Sequence, residues 1–154
     1  MKKILIIALV TVVSLCAQEL KVKSKTFSTD QNTGVSVFEG LVNVRKGTDE
    51  LNASKVTIYT DSEQQPTKFV ADGDASFSLK TLEGDVYQGT AQKVVYLTKK
   101  KEYRFYVDVH LNQINDKKEI IGEEVVLKTI EGKAYAKGAN EEPVIMIFNL
   151  PKKK

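Results

Sequence analysis

The side chains that could do chemistry in this chain are few, and their types and spacing favour neither a metal site nor a catalytic site. His110 is the sole histidine and Cys16 the sole cysteine, so a transition-metal cluster has too few nitrogen and sulfur donors. A Ser-His-Asp triad would depend on His110, and no Gly-x-Ser-x-Gly motif accompanies it. We therefore predict a protein that is not an enzyme, has no metal site and needs no cofactor.

Paired acidic residues are the other group with chemical potential, because carboxylate oxygens are the ligands of calcium. Asp72 and Asp74 flank Gly73, and acidic pairs recur at Glu83–Asp85 and Glu123–Glu124. Two acids on the wet face of a strand are usually only solvated. We favour that interpretation over a calcium site.

The first 17 residues have the pattern of a secretory signal peptide. A basic start is followed by an apolar run, Ile4–Val13, and by small residues up to Ala17. The run is shorter than the roughly 20 residues that a membrane-spanning helix needs. We predict export and cleavage near Ala17. Two alternatives stay open, an uncleaved N-terminal anchor and a lipoprotein modified at Cys16.

Cleavage would leave one domain of ordinary size without a cysteine. Removing 17 residues from 154 leaves 137, which is long enough for a core of its own. We predict a single domain over residues 18–150 and a basic tail at residues 151–154. Without Lys2 and Lys3, the 23 basic residues become 21 against 20 acidic residues. This near-neutral balance argues against a nucleic-acid-binding protein.

Alternation of apolar and polar residues dominates the rest of the chain and predicts strands throughout. It is cleanest over Phe69–Leu79 and over Phe105–Leu111. Shorter alternating runs occur elsewhere, and the last of them is Val144–Phe148. One face of each strand is therefore apolar and the other polar. Turn-forming residues separate the runs at Asp30–Gly34, Lys46–Asp49, Asp61–Pro66, Lys99–Lys101, Asn115–Lys118 and Glu131–Lys133. This spacing predicts a meandering antiparallel sheet.

A repeat of about 34 residues runs through these strands. The segment Val37–Tyr59 is echoed by Val70–Tyr96 and, less closely, by Tyr106–Leu127, where Asp108 stands in the place of Gly40 and Gly73. Each unit is a strand, a turn and a second strand. Small residues in the second strands predict tight corners, at Ala53, at Gly89 or Ala91, and at Gly122. Stacked units can share one apolar interior, which a single unit cannot build.

The repeated segments resemble the LptA/OstA family of periplasmic lipopolysaccharide-transport proteins. The resemblance is carried by Val-Phe-Glu-Gly-Leu-Val-Asn-Val from Val37, by Glu-Leu-Asn-Ala-Ser-Lys-Val-Thr-Ile-Tyr from Glu50, and by Thr67–Ala75. The lead-in Phe27–Val35 is also similar, so the resemblance covers about residues 20–130. It implies an all-β fold, a twisted and slightly open antiparallel β-jellyroll built from strand-turn-strand units.

The resemblance also implies a function, which is to carry lipopolysaccharide from the inner to the outer membrane. The implied partners are the lipid A acyl chains, further copies of this chain stacked head to tail, and jellyroll domains of the inner-membrane transporter complex and the outer-membrane translocon. The implied location is the periplasm. The candidate groove-lining residues are Phe38, Val42, Val44, Ala53, Val56, Ile58, Phe69, Ala71, Ala75, Phe77, Leu79, Val94, Tyr96, Phe105, Val107, Val109 and Leu111.

Two other functions stay open at this point. If the N-terminal segment is retained, the chain would be a membrane-tethered, LptC-like relative that receives lipid from the transporter. If the alternating apolar residues only form a dry core, the chain would be a structural β domain that binds no lipid.

Overall fold

The computed structural model describes residues 19–150, which form one ten-stranded antiparallel sheet. The predicted signal peptide (residues 1–17) and the basic tail (residues 151–154) lie outside the described residues. No helix in the described part is long and apolar enough to cross a membrane. The strands are β1 (Leu20–Lys23), β2 (Thr26–Asp30), β3 (Val35–Lys46), β4 (Asp49–Thr60), β5 (Pro66–Lys80), β6 (Val86–Leu97), β7 (Glu102–Gln113), β8 (Lys118–Lys128), β9 (Lys133–Lys137) and β10 (Ile145–Phe148).

The six long strands β3–β8 form a meander, in which each strand pairs with the next along the chain. Two short strands cover each edge of this meander. At the N-terminal edge β1 and β2 both pair with β3, and at the C-terminal edge β9 and β10 both pair with β8. The predicted all-β fold is confirmed, and all six predicted turns lie between strands. The turn between β5 and β6 was not predicted.

A row of β-bulges crosses the middle of the long strands. In β3, β5 and β7 two residues lie opposite one residue of the neighbouring strand, as where Gly73 and Asp74 face Gln92. Gly73 has φ +86° and Asp74 has φ +43°. Because glycine tolerates this left-handed conformation, it is the natural residue for the first bulge position. The corners that the sequence predicted at Ala53, Ala91 and Gly122 lie in this row.

The bulges correct one detail of the predicted repeat. The residue of β7 that takes the place of Gly40 and Gly73 is Val107, with φ +66°, and not Asp108. Val107 is 47% exposed, so it lies outside the apolar core cluster, although the alternation pattern placed it on the inner face. The pattern was wrong here because it assumed an unbroken strand from Phe105 to Leu111.

The bulge row divides the sheet into two leaves that face each other. The first leaf contains β1, β10 and residues 42–53, 75–91 and 109–122, and the second leaf contains β2, β9 and residues 35–39, 55–72, 93–106 and 124–128. Phe77 of the first leaf and Phe105 of the second do not pair in the sheet, yet their rings stack with centroids 4.3 Å apart. The apolar faces of the two leaves therefore meet in one interior.

Candidate functional site

The interior between the leaves is sealed at one side of the molecule and open at the other. On β7 and β8 the core side chains of Phe105, Val109, Leu111, Val125 and Leu127 have no exposed surface. The apolar side chains that are only partly buried lie toward the N-terminal edge, on β1 and β3–β6; they are Val22, Phe38, Val44, Leu51, Phe69 and Tyr96. The interior thus changes from a dry core to an open trough along the sheet.

A cavity of about 350 Å³ lies at the open side, between the two leaves. Its floor is apolar, and its polar lining residues come mainly from turns or from the strand ends beside them. It is lined by Leu20, Val44, Lys46, Asp49, Glu50, Leu51, Val56, Gln65, Pro66, Phe69, Ala71, Leu79, Val94, Tyr96, Thr98 and Tyr103. Such a space can hold an apolar chain, and each methylene group buried there would contribute about 0.8 kcal/mol.

The predicted groove residues divide into three groups. Those that line the cavity are Val44, Val56, Phe69, Ala71, Leu79, Val94 and Tyr96. Those that lie in the buried cluster away from the cavity are Val42, Ala53, Ile58, Ala75, Phe77, Phe105, Val109 and Leu111. Phe38 packs on the edge of the cluster beside Phe27, and Val107 lies outside it. Whether any of these side chains contacts a ligand stays a prediction.

Several cavity residues were not among those predicted. Leu51 and Tyr103 continue the apolar phases of Ala53 and Phe105, so the alternation could have identified them. Asp49 and Thr98 lie at a strand end and in a turn, where no periodic signal exists. Only the folding of one leaf over the other brings these polar residues to the cavity.

Asp49 is a polar residue of the cavity wall, and both of its carboxylate oxygens accept hydrogen bonds. Its Oδ1 accepts a hydrogen bond from the backbone N–H of Lys80 at 2.9 Å, and its Oδ2 accepts one from the Tyr103 hydroxyl at 3.3 Å. Burial raises the pKa of the Asp49 carboxyl, while these hydrogen bonds and the charge of Lys46 act in the opposite direction. The Asp49 carboxylate therefore lies in a largely apolar wall, where its charged form is less favourable than in water.

Two tyrosines of the second leaf face Asp49 across the opening. The rings of Tyr96 and Tyr103 stack with centroids 4.4 Å apart, and Lys46 Nζ lies 5.7 Å from the centroid of the Tyr96 ring. Burial and the negative charge of Asp49 raise the pKa of both hydroxyls. Both tyrosines therefore stay neutral at physiological pH, and Tyr103 acts as a hydrogen-bond donor.

His110 and the acidic pairs that the sequence analysis considered for metal binding or catalysis lie outside the cavity. His110 has its imidazole 3.4 Å from Asp108 and 3.8 Å from Glu119. Asp74 Oδ1 accepts a hydrogen bond from Gln92 Nε2 at 3.1 Å, which braces the bulge row. Residues 19–150 contain no group of three or more metal-ligating side chains.

Comparison with known proteins identifies a matching family and similar solved structures. Residues 21–133 match the model of the family described as LptA/(LptD N-terminal domain) LPS transport protein. Among solved structures the fold is similar to LptH of Pseudomonas aeruginosa, described as the LptA homologous periplasmic component of the conserved lipopolysaccharide transport device. The TM-score is 0.76 with 20% sequence identity, over 86% of this chain and 96% of that chain. No curated protein sequence matches the chain.

The structural match confirms the predicted open jellyroll, and the family match confirms the resemblance read from the repeated segments. The matched residues extend from β1 to the first residue of β9, and they include all six long strands and every cavity-lining residue except Leu20. The chain belongs to the LptA/LptD N-terminal domain family of lipopolysaccharide transport proteins.

Proposed function

We propose that this protein is a periplasmic carrier that binds lipopolysaccharide between its two leaves and passes it toward the outer membrane in a bridge of stacked copies. The observation that carries this proposal is the apolar interior that stays open toward the N-terminal edge. Acyl chains cannot cross water alone without a large free-energy cost, and an apolar trough supplies a matching environment. Membership of the transport family supports the same cargo.

The residues proposed to contact acyl chains are the apolar members of the cavity wall. Phe69 and Tyr96 are paired across β5 and β6, and both keep part of their rings exposed toward the opening. Val44 and Leu51, paired across β3 and β4, face them from the first leaf. Phe105 and Leu111, by contrast, have no exposed surface and serve as dry core in this conformation.

The two sheet edges support stacking of copies head to tail. Each edge carries two short strands, one from each leaf, so the ends of the sheet resemble each other in construction. At the C-terminal edge all four residues of β10 are exposed, and all four are apolar. An unpaired strand edge offers backbone N–H and C=O groups to another chain. A contact between two different edges is heterologous, so it builds filaments and not closed dimers.

The proposed location is the periplasm, and the proposed end partners are jellyroll domains of the inner-membrane transporter complex and of the outer-membrane translocon. LptH, which has the same fold, is described as a periplasmic component of such a transport device. The single domain over residues 18–150 would be the exported carrier. Residues 151–154 would form a basic tail.

Photocrosslinking to lipopolysaccharide tests the cargo. A photoreactive residue at Phe69, on the inner face, should label the lipid, whereas one at the neighbouring Lys68, on the outer face, should not. Equal labelling at both positions, or none at either, would contradict the proposed groove.

Mass measurement of the native N-terminus tests the free carrier against the tethered relative. A mature chain that begins at Gln18 would support the former.

A further inference from the structure

The two leaves are held together by few polar contacts across the opening. Among the side-chain hydrogen bonds of residues 19–150, the one from Tyr103 to Asp49 is the only bond that joins the first leaf to the second. Lys46, three residues before Asp49, lies over the ring of Tyr96. Both contacts start from the tip of the β3–β4 hairpin, so this tip fastens one leaf to the other.

Both ends of the Asp49–Tyr103 hydrogen bond are fixed in place. The backbone N–H of Lys80 holds Oδ1 of Asp49 on the first leaf, which leaves Oδ2 directed at the second leaf. The stacked ring of Tyr96 fixes the ring of Tyr103 on the other side. A directional bond between two preorganised groups has one favoured distance, whereas the apolar stack of Phe77 on Phe105 tolerates sliding. At the open side this hydrogen bond is therefore the polar contact that holds the leaves at their observed spacing.

The volume of the cavity at the observed leaf spacing is that of a site for one small ligand. Its volume of about 350 Å³ lies near the lower end of the roughly 300–1,000 Å³ that holds a single drug-sized ligand. A lipid with several acyl chains needs more room than this. A lipid whose acyl chains all enter between the leaves therefore requires a wider spacing than the observed one.

We propose that the β3–β4 hairpin tip is a latch, closed by the Asp49–Tyr103 hydrogen bond, that must open before a lipid with several acyl chains can enter between the leaves. This inference rests on the proposed function. A ligand with a single acyl chain fits the closed cavity and does not need the latch to open. Asp49 and Tyr103 therefore control which amphiphiles the groove admits, as positioning residues that set the distance between the leaves.

The test measures the distance between the leaves directly. Spin labels at Thr48→Cys in the hairpin tip and Lys100→Cys in the β6–β7 turn lie on exposed positions of opposite leaves. The sole native cysteine, Cys16, lies in the predicted signal peptide, so a mature chain that begins at Gln18 brings no competing thiol. Tyr103→Phe removes the latch hydroxyl and keeps the ring. Tyr87→Phe is the matched control, because Tyr87 is a buried tyrosine of the first leaf with no hydrogen bond to the second leaf among the described residues.

Without lipid, Tyr103→Phe should lengthen and broaden the label distance, and Tyr87→Phe should leave it unchanged. Lipopolysaccharide should lengthen the distance in the wild-type protein. Association of lipopolysaccharide should be roughly fivefold to tenfold faster in Tyr103→Phe, the shift that loss of one such hydrogen bond allows. Association of laurate, a single-chain probe, should change much less than that of lipopolysaccharide in Tyr103→Phe.

Two results would overturn the latch. One is a Tyr103→Phe distance equal to that of the wild-type protein, and the other is laurate binding accelerated as much as lipopolysaccharide binding. A melting curve for each variant shows whether the altered distance belongs to a folded protein. If the wild-type protein binds no lipopolysaccharide, the proposed function fails, and the lipid-free distances still decide whether Tyr103 holds the leaves together.

Discussion

At the scale of single residues, Asp49 and Glu50 are neighbours whose carboxyl groups respond to folding in opposite ways. Burial raises the pKa of Asp49, whereas the hydrogen bond from Asn43 lowers the pKa of Glu50. Protonation of Asp49 thus favours the folded state, and its contribution is complete below the unfolded pKa and lost as the pH rises through the folded pKa. For Glu50 the contribution is present above the unfolded pKa and is lost as the pH falls through the folded pKa.

These signs predict opposite pH dependences for two amide variants. Between about pH 3.5 and pH 7, the wild-type protein should lose stability relative to Asp49→Asn as the pH rises. Over the same range it should gain stability relative to Glu50→Gln. Urea unfolding at a series of pH values measures both differences. Parallel curves for the two variants would show that burial does not govern Asp49.

Gly89 illustrates a residue that is needed for a close backbone approach. A Cβ atom at this position would collide with the backbone carbonyl of His110 on the paired strand β7. Since backbone atoms cannot rotate away, Gly89→Ala should destabilise the protein by about 1–3 kcal/mol. The exposed neighbour Gln88 pairs in the same ladder, and Gln88→Ala should cost less than about 0.5 kcal/mol. Urea unfolding of the two variants measures the contrast, and equal costs would refute the steric explanation.

At the scale of the strands, the bulge row decides how well the sequence predicts the fold. In β5 the inward residues Ala71 and Ala75 lie four positions apart, so the alternation runs unbroken through the bulge. In β6 the inward residues Ala91 and Val94 lie three positions apart, so the apolar phase switches. The long regular runs of β5 and β7 were therefore predictable, whereas β4, β6 and β8 showed only short runs. The strands β2, β9 and β10 are exposed at every position, and β1 at all but one, so burial imposes no alternation on them.

The cavity, like the strands, could be predicted from the sequence only in part. The apolar floor could be predicted, because strand phase alone decides which residues face inward. The polar wall could not, because Asp49 and Tyr103 are 54 residues apart in sequence and meet only after the sheet folds over on itself. The sequence also does not show which side of the interior is open, since Phe69 and Phe105 have the same residue type and the same position in the alternation. Only their distance from the N-terminal edge separates them.

The bulge row also predicts a reciprocal effect of two substitutions. Val107 adopts φ +66°, which is unfavourable for a β-branched residue. Val107→Gly should therefore leave stability unchanged or raise it by up to about 1 kcal/mol, because relief of strain outweighs the greater chain entropy of glycine. Gly73→Val should lower stability by about 2 kcal/mol or more, because its Cβ would also lie 2.8 Å from Ser54 Oγ. Thermal unfolding measures both changes, and destabilisation by Val107→Gly would show that the bulge at β7 is not strained.

At the scale of the whole molecule, the two edges of the sheet differ in what they offer to a neighbour. The N-terminal strand β1 alternates apolar and basic residues, Leu20-Lys21-Val22-Lys23. The C-terminal strand β10 is apolar throughout, and its residues Ile145–Phe148 are 42–52% exposed. An exposed apolar edge strand is a site of self-association unless charge protects it. Because the charges lie on β1 and not on β10, pairing of unlike edges avoids the repulsion that two β1 edges would experience.

This asymmetry predicts that a charge on β10 blocks stacking without unfolding the domain. Ile147→Lys places a cation on the edge strand opposite Glu119 of β8, so the folded protein can accept it, while a neighbouring copy that brings Lys21 and Lys23 is repelled. Self-association measured by sedimentation velocity should weaken by tenfold or more, which corresponds to about 1.4 kcal/mol. Leu82→Lys, at a 72% exposed position in the β5–β6 turn, outside both β1 and β10, should leave it unchanged. If both variants sediment like the wild-type protein at every concentration, the copies do not meet through β10, and the bridge would need another contact surface.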